Sequence, residues 1–95
     1  MTAALVVAME TTDYDAWKAV FDTDPAGRRQ SATGHVLSRS ADDPNRVFVR
    51  STFGSVEEAH AFRRRLEESG ALGNPSVGSV ILPPTVIEVV EDVTY

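Results

Sequence analysis

His35 and Arg50 are the pair in this chain whose types and spacing could do chemistry together. An imidazole takes or gives a proton near neutral pH. A guanidinium is a permanent cation that holds a carboxylate or phenolate through paired N–H groups. Residues 35–40 and 46–53 read as two strands around Ala41-Asp42-Asp43-Pro44-Asn45, which is turn chemistry. A hairpin symmetric about that turn sets His35 opposite Arg50, Leu37 opposite Phe48 and Arg39 opposite Arg46 on one face. Val36 then meets Val49, and Ser38 meets Val47, on the other. The His35–Arg50 corner beside Leu37 and Phe48 would bind a phenolate or carboxylate, with Arg50 as anchor and His35 as proton donor or acceptor. The competing reading leaves both at strand ends, solvated or paired with carboxylates of a second subunit. A one-residue slip would undo the assignment, because it sends every side chain to the opposite face.

The other reactive residues are fewer. Tyr14, Trp17, Val20 and Phe21 share one helical face. They either pack against a sheet or present Trp17 and Tyr14 to an apolar pocket. His60 lies about 120° from the centre of the stripe Val56, Ala59, Phe62 and Leu66 at the helical step of about 100° per residue. That is the polar face of a helix, although a haem-binding reading would use His60 as axial ligand. Glu88 interrupts an apolar strand on the side of Val86 and Val90, either at an edge or paired with an arginine across an interface. The two histidines show neither the His-x-His nor the His-Glu-x-x-His spacing, so no metal site is expected. There is no Gly-rich phosphate loop, nucleophile elbow or catalytic carboxylate pair.

These residues belong to a single domain over 1–95. A chain this short buries only roughly 60–65% of its unfolded surface, so oligomerisation would help it. With no cysteine, a disulfide framework and a thiolate site are both excluded. A formal net charge of −5 argues against nucleic acid as a partner. The basic run Arg63-Arg64-Arg65 is balanced by Glu57, Glu58, Glu67 and Glu68. No run approaches the roughly 20 apolar residues of a membrane span, and the N-terminus lacks the basic start of a signal peptide. A cytoplasmic protein is expected.

The positioning elements can be placed in order. A strand from about Ala4 to Glu10 precedes Thr11-Thr12-Asp13, which offers N-cap oxygens for a helix through Phe21. Asp24-Pro25 interrupts it, and residues 25–31 either continue as helix from Pro25 or do not. The hairpin follows. Ser55-Val56-Glu57-Glu58 is a capping box for a second helix, and Gly70 is its C′ stop. Residues 71–84 read as a long connection punctuated by Gly73, Pro75, Gly78, Pro83 and Pro84, with an extended piece at Val80–Leu82. The last strand runs from about Thr85 to Val93. The order β-α-β-β-α-β predicts an α+β, ferredoxin-like sandwich, a four-stranded antiparallel sheet with two helices on one face. The terminal strands are apolar on both faces and need cover on both. Helices cover one; a partner chain, a ligand or both must cover the other.

The segments Asp13-Tyr14-Asp15-Ala16-Trp17, Phe21-Asp22, Gly34-His35-Val36, Asp42-Asp43-Pro44-Asn45 and Phe53-Gly54-Ser55-Val56-Glu57-Glu58-Ala59-His60-Ala61-Phe62 resemble small bacterial proteins of the dimeric α/β-barrel superfamily, the antibiotic-biosynthesis-monooxygenase type. The resemblance spans most of the chain and is one of structure more than of catalysis. It implies a homodimer formed through the sheet face and a small-molecule pocket. It also implies, for an enzyme, cofactor-independent oxidation or isomerisation of an aromatic compound. The expected site is His35 and Arg50 with Leu37, Phe48, Trp17 and Tyr14 around the ligand, and no cofactor. The opposing class is a non-catalytic module whose sheet face serves only self-association.

Overall fold

A computed structural model describes residues 2–73 and 78–95. Strand β1 (Ala3–Thr11) leads to α1 (Tyr14–Asp22), a short α2 (Arg28–Ser31), the hairpin β2 (Gly34–Arg39) and β3 (Arg46–Phe53), α3 (Val56–Glu68), a 3₁₀ turn at Ala71–Gly73, and β4 (Gly78–Glu88). The sheet order is β2-β3-β1-β4 with every neighbouring pair antiparallel. This is the ferredoxin-like α+β architecture, with β1 and β3 in the middle.

Alternation along β1 decides which face the helices cover. Ala3, Leu5, Val7 and Met9 point one way. Ala3 and Leu5 pack with Phe53, Ala59 and Phe62, so α3 lies on that face. Val7 and Met9 pack with Trp17, Val47 and Val49, so α1 lies on it too. Both helices start at the caps expected of them. Asp13 accepts the N–H of Asp15 at 3.0 Å, and Ser55 accepts that of Glu58 at 3.2 Å. Gly70 follows α3 with φ of 74°, the left-handed geometry that favours glycine after a helix. The chain after Pro25 does become helical, but only over Arg28–Ser31.

The hairpin register differs from the symmetric one by a single residue. His35 pairs with Ser51, Val36 with Arg50, Leu37 with Val49 and Ser38 with Phe48. The cause is the loop. Arg46 donates to the Asp43 carbonyl at 3.0 Å, closing a β-turn with Pro44 second, so the turn sits on the β3 side of the loop. His35 and Leu37 therefore face the helices, while Phe48 and Arg50 face away from them. Arg50 lies between Val36 of β2 and Val6 of β1.

Strand β4 also departs from expectation. It begins at Gly78 and takes in most of the residues read as a connection; residues 74–77 of that segment lie outside those described. Pro83 and Pro84 are inside it. They are tolerated because β4 is an edge strand and the pairing with β1 shifts between Val6 and Ala8, opposite the prolines. The strand ends at Glu88, which is exposed and stands opposite Ala3. Residues 89–95 have no regular structure.

Candidate ligand-binding site

Between the helices and the sheet lies a narrow slot. Its floor is Leu5, Val7 and Met9 of β1 with Val49 and Ser51 of β3. Trp17 and Phe21 form one wall, Phe62 and Leu66 the other, and Asp24, Ala26 and Arg28 close one end. Its empty space is about 670 Å³ counted with the mouth, although the centre of a water molecule can reach only about 70 Å³ of it. At ~10–15 Å³ of such space per water, that is room for a few waters or a small flat molecule. The lining is apolar apart from Ser51, Asp24 and Arg28, the combination expected of a small-molecule pocket.

One aromatic row runs along α1 because Tyr14, Trp17 and Phe21 recur at helical spacing. Tyr14 and Trp17 have centroids 6.1 Å apart, and Trp17 stacks on Phe21 at 5.0 Å. Phe21 meets the His35 ring edge-to-face at 5.4 Å. Trp17 is buried and lines the slot. Tyr14 is half-buried outside it, under the Arg39 guanidinium at 4.4 Å. Leu37 is half-buried against the same core cluster as Trp17, without lining the slot.

Arg28 was not among the expected site residues. Only 7% of its surface is exposed. Its guanidinium carbon lies 4.0 Å from the Phe21 ring centre, and its Nη2 is 3.8 Å from Asp24, too long for a hydrogen bond. Its Nε has no hydrogen-bond partner among the described residues. The Asp24 carboxylate is otherwise engaged, accepting the backbone N–H of Arg28 at 2.8 Å and of Arg29 at 3.1 Å. Burial pulls the Arg28 pKa below its ordinary value, with Asp24 pulling the other way. The signal available in the sequence was only the Asp24–Arg28 spacing of four residues, which reads as an ordinary helix pair.

His35 sits beside the slot. It lines a side hollow with Arg28, Arg29, Ala32, Thr33 and Gly34. Its pKa is lowered by desolvation and then by Arg28, Arg29 and Lys18, with Asp24 opposing. These surroundings favour the neutral imidazole, the form that can accept a proton. The expected His35–Arg50 and Leu37–Phe48 pairings are corrected by the register: Arg50 and Phe48 are on the far face of the sheet, both exposed. His60, on α3, is partly exposed and does not line the slot. Among the described residues no three His, Cys, Asp or Glu side chains are grouped to hold a metal, and no helix is long and apolar enough to cross a membrane.

No protein-family model matches the chain, and no curated protein matches it. Solved structures do. SnoaB, a cofactor-independent oxygenase from Streptomyces nogalater, superposes with a TM-score of 0.76 at 12% identity, covering 99% of this chain and 98% of its own. A candidate antibiotic biosynthesis monooxygenase from Chloroflexus aurantiacus gives 0.67 at 17% identity, with the same coverage of 99% and 98%. One from Bordetella bronchiseptica gives 0.62 at 18%, covering 97% and 98%. The chain thus has the fold of the antibiotic-biosynthesis-monooxygenase group.

Proposed function

We propose that this protein binds a small aromatic compound in the slot beneath Trp17 and Phe21 and, as a homodimer, acts on it without a cofactor. The observation that carries this reading is the slot itself: an apolar, aromatic-walled cleft with Ser51 in its floor and Asp24 and Arg28 at one end. Its fold is shared with a cofactor-independent oxygenase, which is consistent with oxygen chemistry; fold alone does not assign it. The step common to oxidation and isomerisation of such a compound is removal of a proton. His35 is the base for it. Its surroundings favour the neutral ring, and it is in contact with Phe21, which also stacks on Trp17 in the slot. Arg50, on the far face, has no part in this scheme.

The test is native mass spectrometry of the purified protein for a retained small molecule, followed by turnover of that molecule by wild type and His35→Ala. Loss of turnover in the variant with the dimer intact is the expected result. Unchanged turnover removes His35 from the mechanism. The purely self-associating alternative gains from the exposed Val36 and Phe48 on the far sheet face. That face is on the other side of the sheet from the slot, so the two properties do not compete.

A further inference from the structure

We infer that Arg28 is the anion anchor of the slot, so that the ligand is a flat apolar molecule carrying one compact negative group, such as a carboxylate. The inference rests on the slot being a binding site, as proposed above, and adds the charge its ligand must carry.

Burying a guanidinium is unfavourable unless its donors are used and its charge is met. Arg28 meets both conditions only in part from within the described chain. Its side chain is 8% exposed, Nε is without an acceptor, and the nearest carboxylate stands off at 3.8 Å. Asp24 is not free to close that gap. Both of its oxygens accept backbone N–H groups of α2, and its own backbone is fixed in the left-handed region at φ 56° to let them do so. Phe21 offers its face to the cation, which holds the guanidinium plane in place but accepts none of its N–H bonds. The guanidinium is thus fixed in position with hydrogen-bonding capacity left over. It borders both the slot and the hollow that contains His35. The charges around that hollow sum in one direction: Arg28, Arg29 and Lys18 act on His35 against Asp24. A carboxylate entering at this end of the slot would gain charge-assisted bonds from Arg28, while its ring would lie against Trp17 and Phe21.

Trp17 is the chain's single tryptophan and lines the slot, so its fluorescence reports occupancy directly. The probes are 2-naphthoate and its neutral counterpart 2-naphthamide, titrated into the full chain by calorimetry and by Trp17 emission. The expected result is that naphthoate binds about tenfold or more tightly than the amide, the scale of one charge-assisted contact. The preference should survive about 0.5 M salt, because a buried pair is screened much less than an exposed one. Arg28→Met should abolish the preference, bringing naphthoate down to the affinity of the amide for the same variant. Equal affinity of the two probes for wild type overturns the anchor and leaves the slot standing. A preference that disappears in salt, or that persists in Arg28→Met, overturns it in favour of exposed Arg29. Failure of both probes to perturb Trp17 removes the slot and this inference together. The wild-type comparison needs no variant to fold.

Discussion

His35 shows how position rather than residue type sets the proton affinity of a side chain. Partial burial beside Phe21 and the nearby cations Arg28, Arg29 and Lys18 both disfavour the imidazolium. The folded pKa of His35 therefore lies below the ordinary 6.5 of the unfolded chain. The folded state binds fewer protons than the unfolded state in the window just below that value. Stability is unaffected above about pH 6.5 and is lost as pH falls through 6.5 and then through the folded pKa. The loss should be small, because the ring is largely exposed to solvent. Thermal unfolding of wild type and His35→Gln between about pH 8 and pH 5 checks it. The two melting temperatures should keep a constant difference at the alkaline end. Toward pH 5 the wild type should lose additional stability relative to the variant. A constant difference across the whole range would mean that the cations around His35 are too well screened to act on it.

The hairpin loop is the element on which the site depends, and Asn45 holds it. The Asn45 carbonyl accepts the backbone N–H of Thr11 at 2.7 Å and its hydroxyl at 2.8 Å, and Asn45 Oδ1 accepts the N–H of Tyr14 at 3.2 Å. One side chain thus satisfies an orphan donor at the start of α1 from another element. Asn45→Ala removes that acceptor and should cost about 1–2 kcal/mol, read as a lower urea midpoint with an unchanged slope. An unchanged midpoint would mean water replaces the side chain at no loss. This loop is also where sequence reading reached its limit. Capping at Asp13 and Ser55, the apolar stripes of α1 and α3 and the order of strands are local patterns, and each was legible. Register is not local. It hung on whether the turn centred on Asp42-Asp43 or was drawn toward Pro44, and the answer moved Arg50 and Phe48 across the sheet. The start of β4 failed for a similar reason. Paired prolines break a central strand but not an edge strand beside a register shift, and edge position is a property of the assembled sheet. Arg28 was hidden because burial of a charged side chain leaves no periodic trace.

The whole molecule is a slab of 36 × 34 × 19 Å, one helix layer on one sheet. Its broad bare side carries Val36 at 61% exposure, Phe48 at 45% and Leu82 at 42%. The pairing of Phe48 with Ala8, and of Ala8 with Leu82, puts these side chains on one surface. An exposed apolar surface of this kind marks an interaction site, and a 36 × 34 Å side is large enough for the roughly 800 Å² per partner of a standard interface. A second copy applied face to face would give the cover that the doubly apolar β1 requires. Phe48→Glu puts a charge at the centre of that contact, and in a two-fold interface it does so from both copies, so like charges meet or are desolvated. Sedimentation should show wild type as a dimer and Phe48→Glu as a monomer. A variant that remains dimeric would place the contact elsewhere. Phe48 is separated from the slot by the sheet itself, so the monomer should still let 2-naphthoate quench Trp17. Loss of quenching along with the dimer would mean that the slot is held open by the second copy, and that site and assembly form one cooperative unit.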